Sequence, residues 1–206
     1  MEKKKSMTIA YQVDTGLYLN ITNRCPNNCT FCIRNNGDSA YGSDPLWLSH
    51  EPTEEEIRAA VHEANPRKFS EVVFCGYGEP SERLDVMISV AKSIKETYGS
   101  YLRVNTNGLS SLINGRDTSA DFAIFDCVSV SLNAPTAEKY QKLCRSKYGE
   151  RAFDEIIDFT RKVRKYVPNV VMSVIKETES EEELAECVKI CNEIGAKIKI
   201  RNYIGK

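Results

Sequence analysis

The sequence predicts an α/β fold, a partial (β/α)6 TIM-like barrel of parallel strands with one open side. Three observations support this class. Six strand-like apolar runs alternate with helical patterns along the 206 residues. One face of the predicted strands is polar in a regular alternation. Glycine-bearing or polar segments follow the ends of four successive strands, and parallel barrels build their sites at that end.

The six predicted strands have apolar or β-branched character, and helical patterns separate most of them. They cover residues 17–21, 71–75, 101–104, 127–132, 170–175 and 196–200. Thr53 with Glu56, and Ser180 with Glu183, are capping boxes that predict helix starts. Gly195 is a helix stop. Residues 110–126 give the weakest signal and suggest one short helix.

Side-chain alternation favours a barrel over a doubly wound sheet. Successive strand residues point to opposite faces, and a sheet covered by helices on both faces has continuous apolar runs. Here one face is polar, which suits helices outside and a polar cavity inside. Its members are Tyr18, Asn20, Thr22, Arg103, Asn105, Asn107, Ser129, Ser131, Asn133, Lys197, Lys199 and Arg201. The last strand carries the most charge, as is typical of a sheet edge.

Composition narrows the class of protein. A hydrophobic share of 41% is enough for a full core, and the net charge of −1 gives no general attraction to nucleic acid or anionic membrane. No apolar run approaches the roughly 20 residues of a membrane span, and the basic start lacks an apolar signal core. We therefore predict a cytoplasmic protein with no membrane partner.

Three cysteines in one loop carry the strongest signal. Cys25, Cys29 and Cys32 stand in the segment Cys-Pro-Asn-Asn-Cys-Thr-Phe-Cys. Three thiols suit a cubane iron–sulfur cluster with one iron that lacks a protein ligand and can bind a small molecule. A zinc site is the main alternative, with His50 as the fourth ligand. Three buried core cysteines are a further alternative, although the proline and asparagines disfavour a helix here.

The other five cysteines are interpreted as packing residues. Cys187 and Cys191 fall on the buried stripe of a predicted helix, and free cysteine packs as a small hydrophobe. Cys75 and Cys127 lie in strand-like runs and Cys144 in a helical run.

The predicted strand ends gather polar motifs. The cysteine loop follows the first strand, and Gly76-Tyr77-Gly78-Glu79-Pro80 follows the second. The segment Asn-Thr-Asn-Gly at 105–108 ends the third strand, and Ser131-Leu132-Asn133 ends the fourth. Alone, the glycine segment predicts only a tight turn; together, the four segments predict one site. The aperiodic stretch 33–52 begins at the cysteines and is predicted to cover the cavity or to contact substrate.

These motifs resemble those of the radical S-adenosylmethionine (radical SAM) superfamily. The resemblance spans residues 17–203 and rests on the three cysteines, the aromatic Phe31 and the Gly-Tyr-Gly-Glu-Pro turn, in which Tyr77 replaces a common glycine. It implies that Cys25, Cys29 and Cys32 hold a 4Fe–4S cluster, that Gly78 and Glu79 bind the amino group of SAM, and that Ser131 and Asn133 contact its ribose. The implied cofactor-binding set is Gly76, Tyr77, Gly78, Glu79, Asn105, Asn107, Ser131, Asn133, Ile175, Arg201 and Tyr203.

The resemblance also implies a function. Reductive cleavage of SAM would yield methionine and a 5′-deoxyadenosyl radical that abstracts hydrogen from an unidentified substrate, a protein, peptide or nucleotide. A flavodoxin or ferredoxin type of one-electron donor and oxygen sensitivity are implied as well. Residues 1–206 are expected to form a single radical SAM core domain with no auxiliary-cluster domain. The segment Cys-Ile-Arg-Asn at 32–35 with Trp47 is most similar to the small radical SAM proteins associated with TatD-type hydrolases. A non-catalytic iron–sulfur or zinc-binding protein stays the alternative.

Overall fold

A seven-stranded sheet forms the centre of the protein, whose computed structural model describes residues 3–203. The strands are β1 Lys5–Ser6, β2 Ala10–Val13, β3 Gly16–Leu19, β4 Trp47–Leu48, β5 Glu71–Phe74, β6 Leu102–Thr106, β7 Cys127–Ser131, β8 Asn169–Ile175 and β9 Lys197–Arg201. The large sheet has the order β2-β3-β5-β6-β7-β8-β9. Its last six strands run parallel in chain order, which confirms the predicted α/β fold.

Helices connect the parallel strands at the predicted places. They are α1 Glu54–Ala64, α2 Leu84–Tyr98, α3 Ser110–Asn114, α4 Ala137–Cys144, α5 Arg151–Val163 and α6 Glu181–Ile194. The capping boxes of Thr53 with Glu56 and of Ser180 with Glu183 are both formed. Gly195 ends α6 in the left-handed conformation, which only glycine adopts without strain. In the weakly predicted stretch, α3 is followed by a 3₁₀ segment, Ser119–Ile124.

The main core lies between the helices and the apolar face of the sheet. Leu17 and Leu19 of β3, Val104 of β6 and Val128 of β7 are almost fully buried there. Phe122 packs edge-on against Phe159 of α5, with 5.1 Å between ring centroids. Each such fully buried aliphatic or aromatic side chain stabilises the fold by about 1.5–3 kcal/mol, so this face fixes the register of the strands.

The opposite face of the sheet surrounds a cavity of about 360 Å³. The cavity contacts Tyr11 on β2 and Arg201 on β9, which belong to the two edges of the sheet. In a flat sheet those edges would stand roughly 29 Å apart. The sheet therefore curves around the cavity while its edges stay unpaired with each other, as a partial barrel requires.

One edge of the sheet differs from the prediction. β2 pairs antiparallel with β3 through a two-residue turn, in which Asp14 has φ 50°, so the sheet is mostly and not wholly parallel. A second, two-stranded sheet joins β1 to β4. Neither β1, β2 nor β4 was predicted.

Two predicted members of the polar face lie beyond the end of β3 and are buried. The side-chain amide of Asn20 donates to Leu46 O at 2.7 Å, and its oxygen accepts from Tyr77 N at 3.2 Å. The Thr22 hydroxyl donates to Glu51 at 2.8 Å. Both therefore hold loops together and do not line the cavity. None of the helices between residues 3 and 203 combines the length and apolarity that crossing a membrane requires.

Candidate functional site: a cysteine-lined cavity at the strand ends

The cysteine loop forms one wall of the cavity. Cys25, Cys29 and Cys32 are all partly buried and all line it. The loop is irregular up to Cys32, where a short 3₁₀ turn begins. A helical stripe of core cysteines is therefore excluded, and the three thiols face one common space.

The C-terminal end of α4 anchors this loop. The last carbonyls of a helix have no partner within the helix, and here they accept hydrogen bonds from the loop. Asn28 N donates to Cys144 O at 3.0 Å, and Thr30 N donates to Leu143 O at 2.9 Å. Backbone contacts thus fix the position of the cysteine loop on α4.

The donor chemistry of the loop fits an iron–sulfur cluster better than a zinc ion. His50 lies 3.1 Å from Glu56 and is not among the residues that line the cavity. Among residues 3–203, no three His, Cys, Asp or Glu side chains surround one position suited to a single metal ion. Thiols that bind a cubane hold different iron atoms, so they do not need to converge on one point.

Two of the three free thiols, those of Cys25 and Cys29, resist ionisation. Burial, together with the charge of Glu79, raises the pKa of Cys25 to about 12. A hydrogen bond with the Cys144 thiol and burial raise the pKa of Cys29. Because metals bind thiolates, metal binding must displace these protons and is favoured by rising pH.

The glycine turn after β5 packs directly on the cysteine loop. Glu79 N donates to Arg24 O at 2.8 Å. A Cβ on Gly78 would lie 2.3 Å from Thr22 O and 2.6 Å from Arg24 O, and one on Gly76 would lie 2.2 Å from the Asn20 side chain. Gly78 therefore allows two backbones to approach closely, and Gly76 leaves room for the buried Asn20 side chain.

We expect Gly78→Ala to separate the glycine turn from the cysteine loop. Its methyl group would meet backbone oxygens, which cannot rotate away, so the loss of unfolding free energy should reach about 2–3 kcal/mol. Urea denaturation of the metal-free protein measures this loss. Gly16→Ala is the control, because there the nearest atom at 3.0 Å belongs to the Tyr18 side chain. Equal losses in both variants would contradict the steric argument.

The carboxylate of Glu79 is buried and connects two segments. Its Oε1 accepts from Ser81 N and Ser81 Oγ at 3.1 and 2.8 Å, and from Thr106 Oγ1 at 2.8 Å. Its Oε2 accepts from Asn107 N at 2.7 Å. Burial raises the pKa of Glu79, and these donors oppose that shift. The carboxylate thus joins the ends of β5 and β6 beside the cysteines.

Buried amides with unpaired atoms complete the strand ends. Asn133 has φ 60°, donates to Cys144 Sγ at 3.4 Å and keeps Oδ1 without a partner. Oδ1 of Asn27 and Nδ2 of Asn107 also lack partners. A buried polar atom without a hydrogen bond is costly. These unpaired atoms, which belong to residues that line the same cavity, indicate a polar ligand.

Comparison with known proteins agrees with this geometry. The family model of the radical SAM superfamily matches residues 19–191. The chain belongs to the radical SAM superfamily. Radical SAM proteins are enzymes that use a 4Fe–4S cluster and SAM, so the chain carries a domain for SAM-dependent radical chemistry.

Two curated proteins are similar in sequence. A probable GTP 3′,8-cyclase of Methanosarcina acetivorans is 34% identical over 132 residues, which cover 63% of this chain and 36% of that protein. The dual-specificity RNA methyltransferase RlmN of Halorhodospira halophila is 29% identical over 128 residues, 58% of this chain and 32% of that protein. The chain thus spans about a third of the length of these relatives.

A solved structure supports the fold. Streptococcus suis SuiB bound to its precursor peptide SuiA has a TM-score of 0.69 and 16% identity, over 92% of this chain and 39% of that protein. At this identity the likeness concerns the fold alone, and it agrees with a partial TIM-like barrel.

All fourteen residues predicted for the radical SAM site contact the cavity. They are Cys25, Cys29, Cys32, Gly76, Tyr77, Gly78, Glu79, Asn105, Asn107, Ser131, Asn133, Ile175, Arg201 and Tyr203. Several also have structural partners. Tyr77 is buried, its hydroxyl donates to Gly37 O at 2.9 Å, and its ring meets Trp47 edge-on at 5.1 Å. Asn105 accepts from Arg103 at 2.6 Å, and Tyr203 N donates to Glu177 at 2.7 Å.

The segment 33–52 lies where it was predicted, beside the cavity. Ile33, Arg34, Ala40, Tyr41 and Leu46 contribute to the cavity wall. Tyr41 has φ 54° although it is a bulky residue, and such backbone strain of about 1–3 kcal/mol is typical of ligand sites. The segment is also part of the fold, since Leu46 is buried and holds Asn20.

Other cavity residues were missed or misinterpreted. Cys75 was interpreted as a packing residue, but it lines the cavity; it follows the buried Phe74, so strand alternation was the signal that placed it on the polar face. Tyr11 was missed because β2 was missed. Asn27, which lies between the cysteines, was missed because its burial depends on a bond to Tyr140 OH at 2.9 Å, far along the chain.

Proposed function

We propose that Cys25, Cys29 and Cys32 hold the 4Fe–4S cluster and that the surrounding strand ends hold SAM. When bound, these groups supply reductive cleavage of SAM and a 5′-deoxyadenosyl radical that abstracts hydrogen from a substrate. One observation carries the proposal: three thiols and three buried amides with unpaired atoms line the same cavity.

The cavity residues then orient the nucleoside. Asn133 Oδ1 is free to accept a ribose hydroxyl, and Ser131 lies on the same wall. Glu79 and Gly78 are proposed to bind the amino group of SAM. Glu79 also stabilises the glycine turn to which both residues belong. Ile175 and Tyr203 are proposed to flank the adenine, and Arg201 to meet the carboxylate.

Anaerobic incubation with SAM and a strong one-electron reductant tests this function. The reconstituted protein should form 5′-deoxyadenosine and methionine in equal amounts, and it should contain iron and sulfide. The alternative, a non-catalytic metal protein, predicts no cleavage. Stoichiometric zinc in place of iron, with no 5′-deoxyadenosine, would refute the proposal.

Finer features are also proposed. Residues 1–206 belong to one radical SAM core domain, and a flavodoxin or ferredoxin supplies the electron. The run at 32–35 with Trp47 supports a place among the TatD-associated radical SAM proteins. Eight cysteines, predicted not to form disulfides, support a cytoplasmic location, and an open iron supports oxygen sensitivity. The substrate is a nucleotide, peptide or protein.

A further inference from the structure

The edge strand β9 brings two cations to the cavity. Lys199 and Arg201 lie on the same face of the strand and both line the cavity. Lys199 is in register with Ser173 and Arg201 with Ile175 on the neighbouring strand. Arg201 is nearer the carboxyl end of β9, and Lys199 precedes it by two residues on the same face. Lys199 therefore lies farther from the carboxyl ends of the strands along the cavity wall.

Neither cation has an ion-pair partner among residues 3–203. Arg103, on the same wall, is different, since it binds Glu71 at 2.6 Å. The Nε of Arg201 is buried and makes no hydrogen bond. A buried donor without an acceptor is costly, and the proposed SAM carboxylate supplies the acceptor for Arg201. Lys199 still has no acceptor among residues 3–203, so a second anion can bind at the β9 edge.

The net charge of the residues that line the cavity also predicts an anionic ligand. Its charged lining residues are the cations Arg34, Arg103, Lys199 and Arg201 and the one carboxylate of Glu79. Glu71 binds Arg103 from outside the lining and also attracts Lys199, which leaves an excess of two positive charges. In the oxidised state a cubane with three thiolates carries one negative charge, and SAM is neutral overall once its amino group has lost a proton to bind iron, so one excess positive charge remains.

Protection of the sheet edge is the competing explanation for lysines on β9. Edge strands commonly carry lysine, which prevents pairing with another chain. Lys197 and Lys199 are both exposed and lie on the same face of β9, but Lys197 does not line the cavity. Lys197 therefore has edge protection as its available role, and the two lysines form a matched pair that differs in position along the strand.

We propose that the substrate presents an anionic group, a carboxylate or a phosphate, to Lys199, with Arg201 beside it at the β9 edge. This inference rests on the proposed function, because it assumes that cluster and SAM occupy the strand ends.

Phenyl phosphate and benzoate are suitable probes, because they differ only in the anion. The reconstituted, SAM-loaded protein is titrated calorimetrically at about 0.15 M salt, because this salt screens long-range attraction. At least one of the two probes should bind. Lys199→Gln should weaken the better probe about tenfold or more. Lys199→Arg should retain binding within a few-fold, and Lys197→Gln should change it less than about twofold. The preferred probe identifies the anion as phosphate or carboxylate.

Several results would overturn the anion site. The first is that the wild-type protein binds neither probe, and the second is that Lys199→Gln binds the better probe as tightly as the wild type does. The third is that Lys197→Gln loses as much affinity as Lys199→Gln. The fourth is that neutral benzamide binds as tightly as the anionic probe. Formation of 5′-deoxyadenosine by the same wild-type preparation is measured separately. A protein that cleaves SAM but binds no anion contradicts this inference alone, whereas a protein without cleavage contradicts the proposed function.

Discussion

Replacing Cys29 by alanine should leave the protein without its iron–sulfur cluster. Cys29 lies between the other two ligands, in a loop whose backbone is fixed by the end of α4. Two thiolates should not retain a cubane. Iron and sulfide content, the visible absorption of the cluster and formation of 5′-deoxyadenosine should all fall to background.

Cys191→Ala is the matched control for this experiment. Cys191 is fully buried in α6 and belongs to the main core, so its loss should reduce the unfolding free energy by about 1 kcal/mol and leave the iron content unchanged. Full iron in Cys29→Ala would show that the ligands are assigned wrongly. Loss of iron in Cys191→Ala would instead indicate a cluster built from Cys187 and Cys191.

The parallel part of the fold was predictable because its signals are local. Each capping box joins residues three positions apart, and the strand runs are short and apolar. The hairpin of β2 with β3 was missed because its turn, Asp14-Thr15, lacks the Asn-Gly or Gly-Gly signature of two-residue turns. The alternation of buried Tyr11, exposed Gln12 and buried Val13 was present, but four residues are a weak pattern.

In the site too, features that are local in sequence were predictable and features that join distant residues were not. The cysteines and the glycine turn could be recognised because each is contiguous in sequence. The hydrogen-bond network of Glu79 could not be recognised from the sequence. Its donors Thr106 and Asn107 lie 27 and 28 positions away and meet Glu79 only through the parallel pairing of β5 with β6. The cavity contact that distinguishes Lys199 from Lys197 likewise depends on how the sheet curves.

The network around Glu79 predicts a large effect for Glu79→Gln. A glutamine oxygen can replace Oε1, which accepts from Ser81 and Thr106, but its NH₂ group would then face the N–H of Asn107. A charge-assisted hydrogen bond would be lost and a buried donor left unpaired. Urea denaturation of the metal-free protein at pH 7 should show a loss of about 2–4 kcal/mol with an unchanged m value. Glu55→Gln, an exposed residue of α1, should stay within about 0.5 kcal/mol.

The size of that loss also reports the protonation state of Glu79. Burial raises the pKa of this carboxyl group. If the folded pKa lay above pH 7, the native side chain would be neutral, glutamine would imitate it, and stability would fall as pH rises through that folded pKa. A loss below about 1 kcal/mol at pH 7, together with such a fall in the wild-type protein but not in Glu79→Gln, would therefore contradict an ionised carboxylate. Because the raised pKa means that the folded protein binds this proton more tightly than the unfolded chain does, wild-type stability relative to Glu79→Gln should increase as pH falls through the folded pKa. A loss in Glu79→Gln that instead diminishes at lower pH would show a lowered pKa and an ionised carboxylate that holds the strand ends together.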